Sequence, residues 1–88
     1  MSGRAVPERD VLRAEILRLA EARGRGRTIC PSEVARSLDP QDWRRLMQPV
    51  REAAFGLADE RAVAILQRGE IVDGRTAKGP LRIGWVAG

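Results

Sequence analysis

Three prolines, at positions 31, 40 and 49, constrain this chain more than any other feature of it. A proline cannot donate to a helix ladder, but at the first helical residue the missing N–H would find no acceptor anyway. Pro31 follows Cys30, which takes the cap position normally held by Ser or Thr, and Glu33 stands at the third helical place. Asp39, Pro40 and Asp42 repeat the pattern. Gln48-Pro49 is a third interruption, where the helix either kinks or stops and restarts with Pro49 first, because the residue before a proline avoids helical ψ. The stretch from Thr28 to Leu57 is thus expected to launch short helices over 31–38, near 40–47 and over 49–60. Val34, Ala35 and Leu38 line the first; Trp43, Leu46 and Met47 the second; Val50, Ala53, Ala54 and Leu57, with the stem of Arg61, the third.

The flanks support these helices. Residues 1–6 read as disordered, and 7–88 as one domain. Pro7 with Glu8 and Asp10 opens a helix over 7–23, whose apolar side is Leu12, Ile16, Leu19 and Ala20, widened by Val11 and Leu17. Gly24 stops it. Arg23-Gly24-Arg25-Gly26-Arg27 is a basic connector, and Thr28-Ile29 a very short strand. After Arg61 the apolar period changes from 3.6 to 2, which predicts a strand at 63–66. Arg68-Gly69 is a turn signal, Ile71-Val72 a short extended piece, and Leu81 to Val86 a last strand with Leu81, Ile83 and Trp85 on one face. This order predicts an α+β fold: a winged helix-turn-helix whose helices are followed by a C-terminal antiparallel β-hairpin, with the wing at about 67–80.

Composition narrows the chemistry. Eighty-eight residues, 43% hydrophobic and 32% charged, make one small globular domain. No apolar run is long enough to cross a membrane, the N-terminus lacks a signal-peptide core, and one cysteine forms no internal disulfide, so a cytoplasmic location is expected. The chain has no histidine, which removes imidazole acid–base chemistry, Ser-His-Asp and Cys-His systems, and histidine metal sites. No phosphate-cradling glycine motif is present. The expectation is a protein that is not an enzyme, with no cofactor, no metal and no small-molecule substrate.

The net charge of +4 points to nucleic acid, but its distribution qualifies that. Fifteen of the sixteen basic residues are Arg, a ratio that a GC-rich genome gives through codon usage alone. Residues 1–27 carry +3, residues 28–59 carry −1, and residues 60–88 carry +2. The helix that would read a groove presents Gln48, Arg51, Glu52, Phe55 and Asp59, so two carboxylates would face phosphates. The candidate nucleic-acid-binding residues are Arg51 with Arg68, Arg75 and Lys78 of the wing; the plain alternative is solvated, mixed-charge surface. Phe55 lies off the core stripe and reads as packed against the first or second helix; exposed, it would instead mark the 49–60 face as the contact for the alternative partner, a protein or a second copy of the chain. Cys30 reads as a cap or as a thiolate favoured by Arg27 and the helix dipole. Trp43 and Trp85 read as core.

At ICPSEVAR (29–36), DPQDWRRLM (39–47) and TAKGP followed by LRIG (76–84), the chain resembles the uncharacterised bacterial family known as domain of unknown function 3253. The likeness runs from about Val11 to Val86. It implies a small stand-alone, winged-helix-like cytoplasmic protein, and it implies no activity.

Overall fold

A computed structural model describes residues 5–86 of the 88. The expected disorder at 1–6 lies, for residues 1–4, outside the described residues. The order is α1 (Arg9–Arg23), β1 (Thr28–Ile29), α2 (Pro31–Leu38), a 3₁₀ turn (Trp43–Leu46), α3 (Met47–Asp59), β2 (Val63–Gln67), β3 (Glu70–Ile71) and β4 (Arg82–Trp85). Three helices pack on a four-stranded antiparallel sheet of order β1-β4-β2-β3. No helix among the described residues is long and apolar enough to cross a membrane.

The core is built from the faces that periodicity marks. Leu12, Ile16 and Ala20 of α1, Val34 and Ala35 of α2, and Val50, Ala53, Ala54 and Leu57 of α3 are buried against Ile29, Val63, Ile65, Leu81 and Ile83. Val11 is exposed and does not widen the apolar face of α1. Paired side chains tie the helices together at the rim. Glu33 accepts the Cys30 amide at 2.9 Å and pairs with Arg23, so the start of α2 is capped and held to the end of α1. Burial pushes the Glu33 carboxyl up, but that amide and the Arg23 guanidinium hold it below the usual range. Arg13 grips Glu60, just past α3, through two bonds of 2.9 and 2.7 Å. Glu15 accepts Arg18 and also Ser37 of α2.

Several expectations need correction. Pro7 precedes the helix and does not open it: Glu8 is extended, and α1 begins at Arg9. The expected helix near 40–47 is only the 3₁₀ turn Trp43–Leu46, and α3 does not restart at Pro49 but runs from Met47. Pro49 is the third residue of α3, still within the turn whose N–H groups lack helical acceptors. The change from 3₁₀ to α falls where an unbroken α-helix would press its ring on the Arg45 carbonyl. Asp39 is the buried polar residue of the core rim, at 3% exposure. It accepts the Asp42 amide at 3.2 Å and pairs with Arg45 at 2.9 Å, fixing the bend between α2 and the 3₁₀ turn.

Arg61 contributes no stem to the core. It is exposed, with φ at 65°. It ends α3 in the left-handed place usually given to glycine, with Arg61 donating to the Ala58 carbonyl (3.0 Å) and Ala62 to the Leu57 carbonyl (2.9 Å).

The strands are not a simple C-terminal hairpin. β4 lies between β1 and β2, pairing Ile29 with Ile83 and Ile65 with Ile83 on its two sides. β3 folds back on the outer edge of β2 through the two-residue turn Arg68-Gly69. Both turn residues have positive φ, 55° and 81°, as the hairpin's right-handed twist requires. The expected wing at 67–80 is therefore two features: that turn, and a loop from Val72 to Pro80.

Candidate nucleic-acid interface

The four expected cations fall into distinct settings. Arg51 is half-buried on α3 and makes no side-chain hydrogen bond or ion pair among the described residues. Arg68 is exposed at the β2–β3 turn. Lys78 is exposed in the following loop, where Gln67 donates its side-chain amide to the Lys78 and Pro80 carbonyls. Because Gln67 adjoins Arg68, these bonds bring Arg68 and Lys78 to the same end of the sheet. The basic connector is elsewhere. It leads into β1, the opposite edge from β3.

Arg75 is exposed but is taken up by an intramolecular pair. Its guanidinium takes both oxygens of Asp59, at 3.1 and 2.8 Å, and lies 5.6 Å from the Phe55 ring centroid. The pair holds the Asp59 carboxyl below its usual range. Arg51, Phe55 and Asp59 follow one another at four-residue spacing, so Arg51 and the loop that carries Arg75 lie along one side of α3.

Phe55 is not a free docking surface. It is 8% exposed, because the loop that carries Arg75 closes over it. Gly74 makes that approach possible. A Cβ there would lie 2.4 Å from Phe55 Cε1 and 2.7 Å from Cδ1. Beside this contact is an apolar groove of about 520 Å³ lined by Phe55, Ala58, Val63, Ile65, Val72 and Val86.

Sequence reasoning missed a second basic cluster. Arg36 of α2 and Arg44 of the 3₁₀ turn place their guanidinium carbons 4.3 and 4.6 Å from the ring centroid of Trp43. Trp43 is half-buried against the core, so its apolar stripe assigned it correctly in part. The signal for the rest is Arg44 beside it and Arg36 on the exposed side of the preceding helix. Elsewhere, carboxylates absorb cations: Arg13, Arg18, Arg23, Arg45 and Arg75 are paired. Cys30 is half-buried, and its sulfur accepts the Ser32 hydroxyl at 3.1 Å. No group of three or more His, Cys, Asp or Glu that could hold a metal ion occurs among the described residues.

Residues 9–86 match the family described as protein of unknown function (DUF3253). The chain belongs to that family. The match covers all eight elements of the fold. No curated protein matches the chain.

Proposed function

We propose that this DUF3253 member is a winged helix-turn-helix that binds nucleic acid, weakly specifically, through phosphate contacts. The chain path supports the fold reading: a helix, a short strand, two helices joined by a tight bend, then strands with the last one inserted beside the first. In that reading α3 enters a groove and the β2–β3 turn with the 72–80 loop forms the wing.

The observation that carries the binding reading is a group of cations that make no ion pair with a carboxylate; Arg9, Arg25, Arg27 and Arg61 of the described residues also make none. Among the described residues, Arg36, Arg44, Arg51, Arg68 and Lys78 have no acidic partner. One objection from the sequence also weakens. Of the two carboxylates on the outer side of α3, Asp59 is neutralised by Arg75. Glu52 remains, bonded by the Gln48 amide at 3.1 Å. Arg75 is accordingly left out of the phosphate-contacting set. The absence of histidine from the sequence supports a binder over a catalyst.

Fluorescence anisotropy of a labelled duplex at 50 and 200 mM salt tests the proposal. Five phosphate contacts predict an affinity loss of roughly 10²–10³ between the two. Failure to bind at the lower salt overturns it. A protein contact is the second reading. The exposed apolar side chains Ile71 and Val86 beside the groove favour it over the Phe55 face. Sedimentation velocity across concentration tests self-association there, and a monomer throughout removes the homodimer.

A further inference from the structure

The Arg36–Trp43–Arg44 cluster lies where α2 ends and the 3₁₀ turn leads into α3. Both arginines are exposed. Among the described residues neither has a carboxylate within ion-pair distance. Each instead rests on the indole of Trp43. A guanidinium attracted to a ring face keeps its N–H donors free at its edges. The ring thus holds two forked donors close together without consuming them. With guanidinium carbons 4.3 and 4.6 Å from its centroid, the ring face is occupied by the arginines and not left open for a stacking base.

Beyond the 3₁₀ turn that carries Arg44, Gln48 and Arg51 follow on α3 at a spacing of three, so these two share one side of that helix. Single strands are held mainly by bases stacking on exposed aromatic rings, and a covered ring does not offer that. A phosphodiester needs charge and planar donors, which the cluster does offer.

We infer that Arg36 and Arg44, held on Trp43, clamp the phosphodiester backbone of a double-stranded nucleic acid without reading bases. This rests on the nucleic-acid function proposed above. Arg36 and Arg44 supply the contact, and Trp43 positions them.

The protein contains two tryptophans, so Trp85→Phe leaves Trp43 as its only indole reporter. That protein is titrated with duplex DNA, duplex RNA and single strands of the same sequence, reading anisotropy and Trp43 emission together. Duplex binding is expected to change Trp43 emission with the same midpoint as the anisotropy. Two unrelated duplex sequences should bind within about threefold of each other, and the single strand about tenfold more weakly. The double variant Arg36→Gln/Arg44→Gln, checked as folded by circular dichroism, should lower the log–log salt slope by about 1.8. Unchanged emission on duplex binding overturns the clamp, as does an unchanged salt slope or tighter binding of the single strand; each leaves the broader function standing. No binding of any nucleic acid by the unmodified protein at low salt overturns both. The emission readout needs no change at either arginine, so a poorly folded double variant does not remove the test.

Discussion

Gly74→Ala tests how the loop over Phe55 is held. The added methyl would sit 2.4 Å from Phe55 Cε1, 2.7 Å from Cδ1 and 3.2 Å from Ile65 Cγ2. Carbon contacts are comfortable at about 3.5–4.0 Å, so ring and loop must part by about 1 Å. Neither moves freely. The ring is packed on the core, and the loop is fixed by the Val72 amide on the Ile65 carbonyl at 2.9 Å and by the Arg75–Asp59 pair. Overpacking of this kind costs about 1–3 kcal/mol, and two anchors place it near 2. In a domain of this size that lowers Tm by about 8–16 °C, readable by thermal melts in circular dichroism. Phe55→Leu removes the ring atoms in the way. In that background Gly74→Ala should be nearly neutral, giving a coupling of about 1–2 kcal/mol in the double-mutant cycle. A Gly74→Ala protein that melts with the wild type refutes the reasoning, and so does a penalty of equal size in both backgrounds.

Other perturbations have stated outcomes. Arg61→Gly relieves a left-handed arginine at the end of α3 and should stabilise by about 0.5–1 kcal/mol in chemical denaturation. Asp39→Ala leaves Arg45 and the Asp42 amide without their buried acceptor and should cost about 3 kcal/mol by the same measurement. The carboxyls of Glu15, Glu33, Asp59 and Glu60 are all held below their ordinary range, Glu15 mainly by its bonds from Arg18, Glu60 by Arg13 and Asp59 by Arg75. Such groups stabilise the fold above their unfolded pKa, near 4, and lose that contribution as pH falls through the folded value. Tm should therefore be flat from about pH 7 to 5 and drop below about pH 4, and a flat profile down to pH 3 would contradict these pairings.

Much of the helical scaffold could be read from the chain because its signals are local. Cys30-Pro31 with Glu33 set the start of α2, and Leu12, Ile16 and Ala20 set the buried side of α1. The alternation at Val63 and Ile65 gave β2. What misled the reading depended on neighbours distant in sequence. Phe55 lies off the α3 core stripe by periodicity, and it is buried only because a loop nearly twenty residues later crosses it with a glycine. Arg75 looks like a wing cation until Asp59 meets it. Pro49 marked a real change of helix geometry, but a proline is tolerated anywhere in a first turn, so it could not locate the start. Trp43 matched an apolar stripe, and nothing in a one-dimensional pattern places Arg36 over its ring.

The surface that a nucleic acid would touch on this protein can be located residue by residue. The most direct measurement is a ¹⁵N-¹H correlation titration of the whole chain with a short duplex at low salt. Shifts are expected to gather at Arg36, Arg44, Gln48 and Arg51 and at Arg68 and Lys78, and to fade together as salt is added. Shifts confined to the connector at Arg25 and Arg27, or to Val63, Ile71 and Val86 around the groove, would contradict that placement, and so would a spectrum that does not move.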